Sequence, residues 1–301
     1  MHPPGPLVHE ALPINDIRMH CLEYQADGPP LLLLHSISGN GHLFDGLASA
    51  GLASSFRLLV PDMRGRGRTD APLHGYSLDD GCRDIIALLD HFGIARIAVC
   101  GHSFGGLLAL YFTARFPERV TRLVMLDAAP DMHPAAPMMV ALADARLDGI
   151  FLSSESYLAM VRLAPFVDRW YEEMRGFFMA DIKPLGLGVH TTRSRGYVAA
   201  LASLHVYSLS TRQWREAASK VRQPVMLLQA NRPFFMGMPM LTDDGARTMC
   251  EVMPQTRHLH VPGNHLTMLF GPGAEQITTA LTSFLAESAP AHDAQPMTVS
   301  E

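Results

Sequence analysis

The sequence predicts an α/β fold in which a mostly parallel sheet carries helices on both faces. Apolar runs such as 31–34 and 97–100 have the continuous hydrophobicity of strands that are buried on both faces. Segments with helical spacing of apolar residues, such as 78–92 and 107–116, separate these runs. Because strands that alternate with helices pair in parallel, the pattern indicates a doubly covered sheet.

The elements follow this alternation in two blocks. In the first block we expect an edge hairpin at 14–24, strands at 31–34, 57–60, 97–100 and 120–126, and helices at 78–92 and 107–116. From about residue 131 to residue 219 the pattern is helical and amphipathic, without a convincing strand. The second block adds strands at 225–229 and 256–261 and helices at 242–252 and 274–285. The sequence therefore predicts an α/β core at 12–130 and 220–286, a helical lid at 131–219, and flexible termini at 1–11 and 287–301.

The composition excludes several functional classes. The chain has 301 residues, 48% of them hydrophobic, and a net charge of −5, which gives no electrostatic case for binding nucleic acid. No apolar run reaches the length of a membrane span, and no secretory signal precedes the first strand. The four cysteines show neither paired nor metal-binding spacing. We therefore expect a cytoplasmic protein with reduced thiols, without a metal or cofactor, and leave its oligomeric state open.

A serine at a strand-to-helix junction is the first candidate catalytic residue. The segment Gly101-His102-Ser103-Phe104-Gly105 matches G-x-S-x-G between a predicted strand and a predicted helix, the context that this motif requires. A sharp turn crowds the backbone, and glycines relieve that crowding because they lack a Cβ atom. The turn places the Ser103 hydroxyl at a helix N-terminus, where a developing negative charge is stabilised. The pattern predicts that Ser103 is a nucleophile.

Four motifs in order resemble those of α/β-hydrolase fold enzymes, over about 14–285 of the chain. They are 35–39 (His-Ser-Ile-Ser-Gly, resembling H-G-x-x-G), 62–69 (resembling D-x-R-G-x-G-x-S), the Ser103 turn, and 262–265 (Pro-Gly-Asn-His). The resemblance implies a serine hydrolase with a helical lid and makes His35 and the arginines of 62–69 structural. The segment 261–269 is also similar to the histidine loop of thioesterase domains from polyketide and peptide synthesis.

A base and an acid complete the expected catalytic group. His265 follows the last predicted strand and so lies at the same sheet edge as Ser103, whereas His102, beside Ser103, is expected to point away from it. Most relatives place the acid after the strand at 225–229, where this chain has Pro233. Some relatives instead use an acid at the end of the preceding strand, where Asp127 stands. We favour Asp127; the alternatives that stay open are Asp131, Asp243 and Asp244.

The oxyanion hole should use two backbone N–H groups, those of Phe104 and Ile37. In the loop 35–39, Ser36 replaces the glycine that the H-G-x-x-G motif usually has. The candidate pocket residues are Ser36, His102, Phe234 and Met236. Methionines and phenylalanines are concentrated in 131–219 and after residue 229, and such adaptable side chains suit a bulky apolar substrate.

These observations favour a hydrolase that acts through an acyl-enzyme on Ser103. The expected substrate is a small hydrophobic molecule with an ester, lactone or thioester bond. Amide or iminopeptide hydrolysis and carbon–carbon bond hydrolysis are alternatives on the same scaffold. A non-hydrolytic enzyme or a ligand-binding protein is the alternative from a different class, and the absence of an acid in 230–235 is its main support.

Overall fold

The computed structural model describes residues 5–287 and contains the predicted sheet. Its eight strands are β1 Leu7–Ile14, β2 Ile17–Tyr24, β3 Pro30–Leu34, β4 Arg57–Pro61, β5 Ile97–His102, β6 Val120–Leu126, β10 Val225–Ala230 and β11 Thr256–Val261. They lie in the order β1-β2-β4-β3-β5-β6-β10-β11, in which β1/β2 and β2/β4 are antiparallel and the other pairs are parallel. The α/β prediction is confirmed.

Helices cover both faces of this sheet. The two short helices are α1 Asp45–Leu47 and α2 Ala53–Ser55; the longer ones outside the segment between β6 and β10 are α3 Leu78–His91, α4 Phe104–Arg115, α10 Asp243–Val252 and α11 Gly271–Ala286. Alternate residues of β3 show the two layers: Leu32 and Leu34 join one apolar cluster, and Leu31 and Leu33 join the other. Because a strand alternates its side chains, this continuous leucine run serves two cores at once. Within residues 5–287, no helix combines the length and apolarity needed to cross a bilayer.

The structure differs from the sequence prediction at the N-terminus. Residues 7–11, expected in a loose arm, form the first half of β1; residues 7–9 pair with β2, and the register shifts between His9 and Leu12. This edge strand is held by backbone hydrogen bonds, and only Leu12 and Ile14 of its side chains are buried, so its sequence lacks an apolar run. The predicted C-terminal tail lies, except for Glu287, outside the described residues.

The segment between β6 and β10 is not purely helical, so the prediction of a helical region without strands at 131–219 is wrong in this respect. Its helices are α5 Ala136–Asp144, α6 Ser154–Arg162, α7 Met174–Asp181, α8 Gly196–Ser208 and α9 Thr211–Ser219. It also contains a three-stranded antiparallel sheet of β7 Ile150–Phe151, β9 Val189–Thr192 and β8 Ile182–Gly186. Positive φ angles at Gly186, Leu187 and Gly188 close the β8–β9 hairpin. These strands are too short to give a clear apolar pattern: β8 is largely exposed, and the buried residues of β9 are threonines.

Candidate active site

Ser103 lies on a strained turn between β5 and α4. Its φ of 56° and ψ of −120° fall in a region that residues with a Cβ atom rarely adopt. A Cβ atom on Gly101 would collide with the Gly105 carbonyl, and one on Gly105 would collide with the Leu34 carbonyl. The glycines of the motif therefore permit a close approach of three backbone segments. The Ser103 side chain is placed at the N-terminus of α4, at the carboxyl edge of the sheet.

His265 lies in a loop after β11 that is fixed by its neighbour Asn264. The Asn264 Oδ1 accepts hydrogen bonds from the backbone N–H groups of Leu266 and Thr267, both at 2.9 Å. The Asn264 amide donates to the Phe166 carbonyl at 2.9 Å and so ties this loop to the segment between β6 and β10. A fully buried asparagine with these bonds holds the His265 loop in one conformation.

The structure brings Asp127 to His265. Asp127 follows β6, is 1% exposed, and has its Oδ2 atom 2.7 Å from the His265 Nδ1. Its Oδ1 accepts a hydrogen bond from the Ala230 N–H at 3.0 Å, across the β6–β10 pair. Because an ionised carboxylate only accepts, Nδ1 carries the proton and Nε2 is the basic nitrogen of this tautomer.

The other candidate acids form no hydrogen bond to His265. Asp243 accepts from Gln229 at 3.0 Å, and Asp244 pairs with Arg247 at 2.8 Å on an exposed turn of α10. Asp131 has no side-chain hydrogen bond within the described part of the chain, and its carbonyl lies against Gly245. Of the four candidates, the geometry therefore supports Asp127.

The two expected oxyanion donors have free backbone N–H groups. Neither the Phe104 N–H nor the Ile37 N–H donates to another atom of residues 5–287, and both residues line one cavity with Ser103. The buried Arg66 contacts both residues: its Nε donates to the Ile37 carbonyl at 2.8 Å, and its guanidinium carbon lies 5.2 Å from the centre of the Phe104 ring. Burial lowers the pKa of Arg66 to about 10, so it remains a cation at neutral pH.

His35 connects the Ile37 loop to the 62–69 loop. Its Nδ1 donates to the Ser36 carbonyl at 2.7 Å, and its Nε2 accepts from the Met63 N–H at 2.9 Å. In the second loop Arg64 forms ion pairs with Asp16 and Asp84, both at 2.7 Å. These contacts support the structural interpretation of His35 and Arg64.

His102 does not point away from the site, contrary to the expectation. Its ring centre lies 4.6 Å from that of His265, and its Nε2 donates to the His265 carbonyl at 2.7 Å. It is the last residue of β5, and strand alternation turns its side chain toward the His265 loop. Burial and the neighbouring His265 lower the pKa of His102 well below its usual value, so it is neutral.

Two cavities meet at Ser103. A small chamber of about 70 Å³ is lined by Ser103, His265 and most of the predicted pocket residues, namely Ser36, His102 and Phe234. A wider cavity of about 300 Å³ is lined by Ser103, Phe104 and apolar residues that include Met132, Val206, Leu209 and Trp214.

The prediction that Met236 lines the pocket is wrong. This residue is 80% exposed and lines neither cavity, because a tight turn with a positive φ at Met236 directs it outward between the paired Phe235 and Met238. Sequence reasoning also missed a polar group in the chamber wall, formed by Ser38, Asp144 and Arg146. These residues match no motif, and their approach depends on how the segment between β6 and β10 folds over the sheet.

Relatives of known function match parts of the chain. The soluble epoxide hydrolase of Corynebacterium sp. (strain C12) is 33% identical over 139 residues, which are 45% of this chain and 48% of that protein. The 3-oxoadipate enol-lactonase 2 of Acinetobacter baylyi is 30% identical over 133 residues, 43% of this chain and 49% of that protein. The aligned segments thus span about a third to a half of the curated relatives.

Comparison of structures and family models covers more of the chain. The crystal structure of E-2-(acetamidomethylene)succinate hydrolase superposes with a TM-score of 0.82 over 94% of this chain and 100% of that one, at 21% identity, which shows a common fold. The family model for the alpha/beta hydrolase fold matches residues 29–272. The resemblance seen in the motifs is thereby confirmed, and the chain belongs to the alpha/beta hydrolase fold family.

Proposed function

We propose that this protein is a serine hydrolase that cleaves a carboxylic ester, lactone or thioester of a hydrophobic substrate through an acyl-enzyme on Ser103. The observation that carries the proposal is the 2.7 Å contact between Asp127 and His265 in a loop that borders the same chamber as Ser103. A serine on a strained turn with a histidine and a buried carboxylate is the arrangement that nucleophilic acyl transfer requires.

The chemistry follows from the roles of these groups. The Ser103 Oγ attacks the substrate carbonyl carbon while His265 Nε2 takes its proton, and Asp127 holds the tautomer and stabilises the imidazolium. The Phe104 and Ile37 N–H groups bind the oxyanion, which collapses as His265 protonates the leaving oxygen or sulfur. A water molecule, activated by His265, then attacks the acyl-enzyme and releases Ser103 and the acid.

The two cavities suggest where the two parts of the substrate bind. His265 must protonate the leaving group, and it borders the small chamber and not the wide cavity. The leaving group therefore belongs in the chamber, and the acyl group belongs in the wide cavity, whose apolar walls suit a bulky chain. In this proposal residues 131–219 form a lid over a core of residues 12–130 and 220–286.

The similarity to an enol-lactonase supports ester-type chemistry, since a lactone is a cyclic ester. The similarity to an epoxide hydrolase makes epoxide opening the second candidate. Both reactions belong to hydrolases, and a substrate panel separates them.

Turnover of nitrophenyl esters with acyl chains from short to long tests the proposal. We expect hydrolysis with an optimum chain length in the wild type and a loss of at least about a thousandfold in Ser103→Ala, because the nucleophile is absent. Stoichiometric labelling of Ser103 by an organophosphonate is the accompanying measurement. Epoxide opening without ester turnover favours the second candidate, and no turnover or labelling at all favours a ligand-binding protein.

Asp127→Asn tests the assignment of the acid. We expect kcat to fall by about 10⁴-fold with little change in the melting temperature, since the amide cannot hold the required His265 tautomer. Asp243→Asn is the matched control, because Asp243 bonds to Gln229 and leaves His265 untouched. A normal rate in Asp127→Asn together with a slow Asp243→Asn variant would contradict the assignment.

A further inference from the structure

The small chamber beside Ser103 has a polar group within otherwise largely apolar walls. Its walls include Phe166, Phe177 and Phe178, whereas Ser38, Asp144 and Arg146 line one side. The Ser38 hydroxyl donates to the Asp144 Oδ1 at 2.5 Å, and the Arg146 Nη1 donates to the same oxygen at 3.4 Å. A carboxylate in such a wall is costly to desolvate unless its hydrogen bonds are complete.

The Asp144 carboxylate has one oxygen that remains open. No atom within residues 5–287 donates a hydrogen bond to Oδ2. The Asp144 side chain is 13% exposed and borders the chamber. The open oxygen therefore offers an acceptor to a molecule in the chamber.

The guanidinium of Arg146 has little capacity to bind an anionic ligand, because it already interacts with groups of the protein. Its Nη1 donates to the Ala143 carbonyl at 2.8 Å, its Nη2 donates to the Ser38 carbonyl at 3.3 Å, and its buried Nε has no hydrogen-bond partner among the described residues. Nη2 also lies 3.6 Å from the Asp181 Oδ2, so two carboxylates share this one cation. Asp181 is completely buried and is bonded to the Tyr157 hydroxyl at 3.1 Å. Because two carboxylates already share the Arg146 guanidinium, it offers little to a further anion, and the open Asp144 oxygen favours a ligand that donates hydrogen bonds.

We propose, on the basis of the proposed function, that the polar group of the chamber forms a leaving-group subsite in which Asp144 accepts a hydrogen bond from a hydroxyl or ammonium group of the substrate. The apolar walls hold the carbon chain between the hydroxyl or ammonium group and the scissile bond. The substrate class is then an ester of a diol or an amino alcohol with a hydrophobic acid.

Four esters of one fatty acid test this inference, with butyl, hydroxybutyl, ammoniobutyl and carboxybutyl leaving groups. We expect kcat/KM for the hydroxybutyl and ammoniobutyl esters to exceed that for the butyl ester by about tenfold or more, and the carboxybutyl ester to be the poorest. In Asp144→Asn the ammoniobutyl-to-butyl ratio should fall toward one. Asp148→Asn is the matched control, because Asp148 lies in the same part of the chain, is about half exposed and pairs with Arg195.

The outcomes separate this inference from the proposed function. Ser103-dependent hydrolysis of the butyl ester without any preference for donor-bearing esters would overturn the subsite and leave the hydrolase intact. A preference that survives in Asp144→Asn would also overturn it. Loss of Ser103-dependent hydrolysis for all four esters would instead reject the proposed function. If Asp144→Asn fails to fold, inhibition of the wild type by aminobutanol relative to butanol gives the same comparison, and equal inhibition would count against the subsite.

Discussion

Arg66 is a buried cation in residues 5–287 that forms no ion pair with a carboxylate of that range. Its Nε and Nη1 atoms donate to the Ile37 and Arg64 carbonyls at 2.8 and 2.7 Å, and its Nη2 finds no hydrogen-bond partner in the part of the chain that the structure describes. Burying such a charge is costly, and a developing oxyanion on the neighbouring Phe104 and Ile37 N–H groups would offset part of that cost. We therefore interpret Arg66 as a positioning residue that also adds positive potential to the proposed oxyanion hole.

Arg66→Met should lower kcat by about ten- to a hundredfold with little change in KM, because the loss falls on the transition state. Binding of a trifluoromethyl ketone, which forms an oxyanion on Ser103, should weaken in parallel, whereas binding of the matching uncharged amide should not. Arg68→Met removes a charge from an exposed pair with Glu10 and serves as the control. Equal weakening of both inhibitors by Arg66→Met would indicate a purely structural role.

At the level of single residues, the sequence was informative where a motif fixes a position on the chain. Ser103 and His265 stand in motifs, and Asp127 could be chosen because Pro233 blocks the usual position of the acid. Arg66 and Asp144 could not be assigned in this way. Their surroundings come from loops that are distant in sequence, and only the packed structure brings these loops together.

The loop 35–39 and the loop 62–69 are joined through His35 in its neutral form. The Nε2 of His35 accepts from the Met63 N–H, a bond that protonation would break, and burial lowers its pKa to about 4. An unfolded chain has a histidine pKa of about 6.5 and so binds more protons than the folded chain between these values. This contribution to stability is therefore fully present above pH 6.5 and is lost as the pH falls toward 4.

We expect the free energy of unfolding to fall between pH 7 and pH 4.5, with His35 contributing up to about 3 kcal/mol of the decrease. Urea unfolding of the wild type, His35→Asn and His91→Asn measures this contribution. His35→Asn should flatten the decrease, whatever its own stability, and the exposed His91 should leave it unchanged. An unaltered pH dependence of the free energy of unfolding in His35→Asn would contradict the contribution of neutral His35 to stability.

Elements were predictable where burial sets the pattern. The two-sided apolar runs of β3 and β5 and the amphipathic α3 lie close to their predicted bounds. The edge hairpin was predicted, but the first half of β1 and the β7–β9–β8 sheet were missed, because their stability comes from backbone pairing at an edge and in a small sheet rather than from a buried apolar stripe. Such pairing leaves little trace in one sequence.

The whole molecule determines the size of the site, because the sheet edge and the segment between β6 and β10 each supply part of the cavity walls. The wide cavity combines Ser103 and Leu107, from the turn after β5 and from α4, with Pro130, Ser203, Val206 and Leu209 from the segment between β6 and β10. No motif spans this boundary, so the sequence could indicate an apolar site but not its two-part shape.

Ser203 and Leu204, adjacent on α8, allow the acyl assignment of the wide cavity to be tested with matched substitutions. Ser203 lines the wide cavity, whereas Leu204 is 64% exposed. Ser203→Trp should fill part of the cavity and move the optimum of the nitrophenyl ester series to shorter acyl chains, while activity on the shortest ester persists because the catalytic groups are untouched. Leu204→Trp adds an indole of the same size to the outside of the helix and should keep the wild-type optimum. The chain-length profile of kcat/KM measures the difference. An unchanged profile in a folded Ser203→Trp enzyme would mean that the acyl chain occupies the small chamber instead, since a filled cavity cannot accept the chain that it held before.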